Sequence, residues 1–253
     1  MRSGMSASDA LEALVGQDKG QALRQVAFID ASGDVAAHTG DNCIAEASHR
    51  TGEGYSVQAN MMLGTGVVDA MADAYESATG PLADRLVAAL HAAQSAGGDI
   101  RGRQSAAVSV VHLENTGRPW TGADHVVDLR VEDHKTPVAE LSRLLTLQGA
   151  YDAMSQGDNA MVEGDFPAAV AAYSRAHKLA PEHIEIRYWY GVRLVQTGDV
   201  EAATPHLQAV FAAEPHWAEL TARLVPTGML DAEHAQVIVG LAAPQKGKKK
   251  KGR

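Results

Sequence analysis

Seven positions toward the C-terminal end of the chain recur at a spacing of 34 residues: Gly157, Gly164, Asp165, Ala169, Tyr173, Ala176 and Pro181 are answered by Gly191, Gly198, Asp199, Ala203, Leu207, Val210 and Pro215. A fixed period of this length means that one supersecondary unit is built twice and stacked on itself. The residue types say which unit. A small residue at Gly157 and Gly191 lets a paired helix approach, Gly164-Asp165 and Gly198-Asp199 make a turn, and Pro181 and Pro215 stop the second helix. Each period therefore reads as a helical hairpin. A third helix, starting near His216 and carrying Trp217, Leu220 and Leu224, is expected to cover the apolar face left open by the second hairpin. A free-standing array generally needs about three repeats or more, so this pair is expected to lean on another surface.

The pattern resembles the tetratricopeptide repeat over about residues 150–217. In that family the first helices line a concave peptide groove. The resemblance places Tyr151, Met154, Asp158 and Met161 there, followed by Glu185, Tyr188, Val192 and Val195. Tyr151, Met154, Met161 and Tyr188 are accordingly the expected protein-contact residues. The lining is apolar and acidic and lacks the basic side chains that would grip a peptide C-terminus. The alternative is that these residues pack against the N-terminal part or a second subunit.

The net charge is -9, yet Lys246, Lys248 to Lys251 and Arg253 carry +6 at the extreme end, which leaves -15 on residues 1–245. An acidic body repels phosphate backbones, so nucleic acid is not the expected partner except non-specifically through the tail. A like-charged block without apolar residues does not repay its ordering entropy, and the tail is expected to be a disordered solubilising segment. No apolar run approaches the roughly 20 residues of a membrane span. The first residues lack the apolar core of a secretory signal, and the single Cys43 cannot form an internal disulfide. A cytoplasmic location is the expectation.

In the N-terminal part, Ser6 followed by Asp9 makes a helix-capping start, with Leu11, Leu14 and Val15 as the apolar stripe. Residues 25–30 and 35–38 flank Ser32-Gly33-Asp34 and read as a hairpin; residues 55–62 read as a third strand. Helical stripes follow at Val67, Val68, Met71, Ala74 and Tyr75, and at Leu82, Leu86, Leu90 and Ala93 after Gly80-Pro81. Residues 105–112 and 125–131 are β-rich, and Pro137 opens a helix through Val138, Leu141, Leu144 and Leu145. Strands separated by a pair of helices imply an α+β domain in which helices cover antiparallel sheet.

The residues themselves resemble a known family. The first block is Arg24-Gln25 to Asp30, Val35-Ala36-Ala37-His38-Thr39-Gly40, Cys43 and Gly52-Glu53-Gly54-Tyr55-Ser56-Val57-Gln58-Ala59-Asn60-Met61. The second is Ala96-Gly97-Gly98-Asp99, Arg101-Gly102-Arg103-Gln104-Ser105-Ala106, Asp128-Leu129-Arg130-Val131-Glu132-Asp133-His134 and Pro137-Val138. Over about residues 1–148 they resemble the family catalogued as domain of unknown function 1028, which is grouped with the N-terminal nucleophile hydrolases. The resemblance implies a four-layer αββα sandwich and amide cleavage by the amine and side chain of a first Thr, Ser or Cys. Family members begin with strands that carry the nucleophile, and this chain is expected to start after them. Met1 and Arg2 offer no hydroxyl or thiol for that chemistry. Ala59 stands where Gly is expected, and Glu132 where Asp is usual.

The densest polar cluster joins Asp99, Arg101 and Gln104 to Asp128, Arg130, Asp133 and His134 at the ends of two neighbouring strands, with Gln58 and Asn60 expected opposite. Arginine grips a carboxylate in two-pronged fashion, and Asp accepts from an amine, so these nine residues are the candidate ligand site; a salt-bridge network is the alternative. Ser105 with His134 as base is a candidate catalytic pair, and Asn60 a candidate oxyanion donor. Cys43 with His38 or His49 is a candidate thiolate pair. Asp30, His38, His49, Asp99, Asp133 and His134 show no tight metal-ligand spacing, so neither a metal nor another cofactor is expected.

The expected architecture is an α+β, partial αββα sandwich over residues 1–148, then an all-α helical-hairpin repeat domain with a capping helix over 149–233, then a C-terminal segment over 234–253. The expected function is a hydrolase-like domain without its nucleophile that binds a small amide or amino-acid-like ligand, while the repeats mediate assembly. An active amidohydrolase with a start upstream, and a pure scaffold, are the alternatives. An uncovered sheet edge makes a homodimer the expected assembly.

Overall fold

Ser6 opens the first helix, its Oγ accepting from the Asp9 N–H at 3.1 Å. Helix α1 (Ala7–Gln17) follows in the computed structural model, which describes residues 4–114 and 116–242. The hairpin of β1 (Gln25–Ile29) and β2 (Val35–Thr39) feeds back onto that helix. At its turn, Asp30 Oδ2 accepts from Ala7 N–H and Asp34 Oδ2 from Ser8 N–H, each at 3.1 Å. Two carboxylates thus meet the positive end of the α1 dipole. Asp30 also accepts from Ser32, which holds its carboxyl below the usual range.

The second hairpin pairs β3 (Ser48–Gly52) with β4 (Tyr55–Ala59). Strand β3 escapes sequence reading because Ser-His-Arg-Thr-Gly has no apolar alternation; it is paired to β4 along the backbone. Helix α2 (Val67–Ser77) covers this hairpin, with Val68 and Ala72 packed on Val57. The contacts therefore run from α1 to β1–β2, on to β3–β4, and on to α2. Helix α3 (Leu82–Ser95) packs beside α2 and covers a third hairpin, β5 (Ala106–Val111) with β6 (His125–Val131). Ala83, Val87, Val108, Val127, Val131 and Leu141 form the core beneath it. Among the described residues the sheet content is three two-stranded antiparallel ladders.

Leu141 belongs to α4 (Pro137–Glu163), a 27-residue helix that begins as the predicted N-terminal-domain helix and continues without a break into the first repeat. The chain divides into two compact units inside it, Met1–Leu145 and Thr146–Arg253. In the second unit α4 pairs with α5 (Phe166–Leu179), and α6 (Ile184–Gln196) with α7 (Val200–Ala213). The two periods fold alike. A Cβ on Gly157 would lie 2.6 Å from the Tyr173 ring, and one on Gly191 would lie 2.7 Å from Leu207, so the repeated glycine is where each hairpin closes. Gly164 and Gly198 turn with positive φ, and the carboxylates of Asp165 and Asp199 accept from the N–H groups of Ala168 and Ala202, both at 3.0 Å. The second unit is a run of helical hairpins capped by α8 (Trp217–Leu224).

The segment from residue 234, expected as a separate C-terminal stretch, instead starts inside α9 (Ala232–Ala242), whose Ile238 is wholly buried among α6, α7 and α8. Two repeats plus one short helix leave an apolar face, and α9 closes it. The Lys-rich tail lies outside the described residues. Among the described residues no helix is long and apolar enough to cross a membrane.

Candidate functional site

The loop between α3 and β5 is held at both ends by backbone hydrogen bonds. Leu63 N–H donates to Gly98 O at 2.9 Å and Ile100 N–H to Met61 O at 2.9 Å, while His134 N–H donates to Gln104 O at 2.9 Å. Gly98 adopts φ +67°, a left-handed conformation that favours glycine, and the Gln94 carboxamide lies 2.6 Å from where a Cβ would stand. The loop, Gln94 and the start of α4 enclose a polar cleft of about 560 Å³.

Within it, Asp99 and Arg101 form a two-pronged pair, Nε to Oδ1 at 3.0 Å and Nη2 to Oδ2 at 2.6 Å, and Asp99 also accepts from the Arg101 N–H at 2.8 Å. The Arg101 guanidinium holds the Asp99 carboxyl down at about 2. Arg101 is thereby spent on its neighbour. Arg103, Gln94, Gln104, Ser105 and Asp133 also line the cleft, and their side chains make no hydrogen bond or ion pair among the described residues. Pro137 and Val138 bring the positive end of the α4 dipole to the same wall.

The cleft gathers Asp99, Arg101, Gln104 and Asp133 from the expected ligand set. It does not gather Asp128 and Arg130, which pair with each other at 3.3 Å on exposed faces of β6. Gln58 sits on β4, its Oε1 accepting from Ser56 Oγ at 2.7 Å. Asn60 Nδ2 donates to Gln25 Oε1 at 2.8 Å, and Asn60 is not among the residues that line this cleft. At His134, Thr136 N–H donates to Nδ1 at 3.0 Å. Among the described residues Ser105 makes no hydrogen bond to His134, and the catalytic pair is not assembled. Sequence spacing could not separate Arg103 from Arg101, because only the fold shows which arginine Asp99 captures; Gln94, inside a helix, carried no signal at all.

The Cys43 thiol donates to Arg24 O at 3.4 Å, while His38 Nε2 meets Gln21 O at 2.9 Å and His49 Nδ1 meets Thr39 Oγ1 at 2.8 Å. The thiolate pair does not form. No group of three or more His, Cys, Asp or Glu side chains placed to hold a metal occurs among the described residues.

In the repeats, Tyr151 donates to Glu185 at 2.7 Å, and burial together with that carboxylate pushes its phenol up to about 12. Met154 packs against Ala150, Ala153, Ala176 and Ile186, and Met161 is half-buried. Tyr188 is corrected as a contact residue. It is wholly buried, 2.8 Å from Thr221 Oγ1, with its ring 4.7 Å from that of Trp217. Val192 and Val195 are buried with it, because this face of α6 turns toward the helices that follow.

A family model described as a family of unknown function, DUF1028, matches residues 1–141, and a tetratricopeptide-repeat model matches residues 160–224. Among solved structures the chain is similar to protein SPO2555 from Silicibacter pomeroyi, which bears the DUF1028 label. The two are 32% identical over 57% of this chain and 58% of that one, with a TM-score of 0.49. The chain thus spans 58% of the length of that relative. No curated protein matches the chain.

Proposed function

We propose that this chain, which belongs to the DUF1028 family of unknown function and carries tetratricopeptide repeats after it, binds a small amino-acid-like or acyl-amide ligand in the cleft below the α3–β5 loop. The repeats give it a capacity for protein interaction, and in this reading they bring the ligand-binding unit to a partner. One observation carries the reading: among the described residues Arg103 lines the cleft without a carboxylate partner, and Asp133 lines it without a cation. An unspent guanidinium and an unspent carboxylate on one polar wall match the two charged ends of an amino acid. Gln94 and Gln104 offer amide donors and acceptors for an acyl-amide group between them. This reading is one of binding and assigns no hydrolytic role to Ser105, which makes no hydrogen bond to His134 among the described residues, where the His134 Nδ1 accepts from Thr136 N–H.

Calorimetry with glycine, alanine and N-acetylalanine amide on the wild type, Arg103→Ala, Asp133→Asn and Arg130→Ala tests it. A charge-assisted hydrogen bond contributes about 1.5–3 kcal/mol, so Arg103→Ala is expected to weaken carboxylate-bearing ligands about tenfold or more. Arg130→Ala is expected to bind like the wild type. No binding by the wild type, or equal binding by Arg103→Ala, ends the proposal.

A further inference from the structure

Met61 has φ +59°, and among the described residues it is the only non-glycine residue in the left-handed region. Residues with a Cβ seldom occupy that region, Asn and Asp excepted, and they stay there where the surrounding bonds overdetermine them. Four backbone hydrogen bonds do so here. Met61 N–H donates to Ile44 O and Met62 N–H to Glu46 O, both at 3.3 Å, while Ile100 N–H donates to Met61 O and Leu63 N–H to Gly98 O, both at 2.9 Å. An extended residue turns its N–H and its C=O toward the same neighbour, and successive residues alternate sides. Met61 instead turns its N–H to one loop and its C=O to another, and the N–H groups of Met61 and Met62 both reach residues 44–46. The left-handed turn lets one short segment serve two loops.

The second of those loops carries the cleft. Asp99 lies opposite Met62 in an isolated antiparallel bridge, and the peptide groups on either side of it are the ones that Leu63 and Met61 hold. With its backbone pinned at both, Asp99 takes the Arg101 side chain on its two carboxylate oxygens, and Arg103 lines the cleft without a carboxylate among the described residues. We propose that Met61 is a positioning residue for this cleft: its left-handed backbone fixes Asp99, and Asp99 thereby decides that Arg101 is spent and Arg103 is offered to a ligand carboxylate. The proposal rests on the reading above for the identity of that ligand. Met61 does not itself line the cleft, so it acts through the loop backbone and not by touching what is bound. With an extended backbone at residue 61 the bonds to Gly98 and Ile100 are lost together with those to Ile44 and Glu46, and the Asp99 carboxylate is no longer aimed at Arg101.

The test uses the full chain and follows the Asp99 carboxyl by NMR titration, since the Arg101 guanidinium holds it down at about 2 while the pair is intact. Met61→Gly and Met61→Asn discard the side chain but accept a left-handed backbone, and both are expected to keep the midpoint near 2. Met61→Ile keeps an apolar side chain, but a β-branched residue is an outlier at positive φ. It is expected to raise the midpoint toward the usual 3.8 and to speed amide exchange at Leu63 and Ile100 about tenfold. Met62→Ile, at a position that is not left-handed, is expected to match the wild type. In calorimetry with alanine, Met61→Gly and Met61→Asn are expected to bind like the wild type and Met61→Ile more weakly. An unmoved midpoint in Met61→Ile would overturn the proposal. So would a midpoint moved toward 3.8 in Met61→Gly or Met61→Asn, whether or not Met61→Ile folds, because the side chain and not the backbone would then hold the loop. The titration needs no ligand: a wild type that binds no alanine ends the reading of the cleft, and the Asp99 midpoints still decide the role of Met61.

Discussion

Asn60 Nδ2 donates to Gln25 Oε1 at 2.8 Å, and the Gln25 amide nitrogen lies within 3.0–3.1 Å of Thr39 Oγ1, Ser48 O and Ala59 O. One carboxamide at the start of β1 therefore ties its own hairpin to the next. The two ladders share no backbone pairing, so this side chain substitutes for the missing strand-to-strand bonds.

Replacing Gln25 with Met keeps the volume and removes every one of these bonds. It leaves the half-buried Ala59 carbonyl short of a donor, at about 1–3 kcal/mol for a buried group left unmade, while the exposed Ser48 carbonyl turns to water at little cost. Urea unfolding is expected to show a loss in that range, with Asn60→Ala losing less. The double variant is expected to lose less than the sum of the two, because both changes break the same bond. Strict additivity would mean that the carboxamides act separately.

The repeated glycine gives a sharper contrast. Gly157→Ala and Gly191→Ala each drive a methyl into Tyr173 or Leu207, and overpacking of this kind typically costs about 1–3 kcal/mol. Gly149 lies in the same helix as Gly157, yet the nearest atom to a Cβ there is Leu179 Cδ1 at 3.9 Å. Gly149→Ala is expected to stabilise by about 0.5–1 kcal/mol through helix propensity. Thermal melts of the three variants check the opposite signs.

His177 of α5 and His206 of α7 meet edge to face at 4.7 Å, and Tyr190 of α6 lies 5.5 Å from the first and 4.9 Å from the second. Burial lowers both imidazoles below the usual 6.5. Arg187 adds to this at both rings and His177 adds to it at His206, while Glu182 opposes it at His177. A histidine with a lowered folded-state pKa resists the proton that the unfolded chain accepts. Stability is therefore full above about 6.5 and falls as the pH drops through the folded-state values. Melting of the repeats is expected to fall between pH 7.5 and pH 5, and His177→Gln with His206→Gln to flatten the slope. An unchanged slope would show that other groups set it.

Asp99 has the opposite linkage. Its carboxyl titrates at about 2 because Arg101 stabilises the charged form, so whatever the pair contributes is present above the usual 3.8 and is lost as the pH falls through about 2. Carboxyl chemical shifts are expected to place the midpoint near 2 in the wild type and to move it up toward 3.8 in Arg101→Ala.

Much of the second unit was legible in the order of the residues. A helical hairpin closes between two helices consecutive in the chain, as Gly157 does against Tyr173, so glycine at the close approach, Gly-Asp at the turn and Pro beyond the end each act within one period. Ser6, the hairpin about Ser32-Gly33-Asp34 and the strand over residues 125–131 are local in the same sense, and each was read from the chain alone.

What only tertiary structure decided depends on partners distant in the chain. Strand β3 exists because Tyr55–Ala59 lies across from it, Tyr188 is buried because Thr221 and Trp217 fold over it, and α9 is core because two repeats leave a face to close. The candidate site followed the same rule. The sequence marks a cluster of Asp, Arg and Gln, but which arginine is paired and which is free is settled by where the loop's geometry puts each guanidinium. Asp99 holds Arg101, Asp128 holds Arg130, and Arg103 is left facing the cleft.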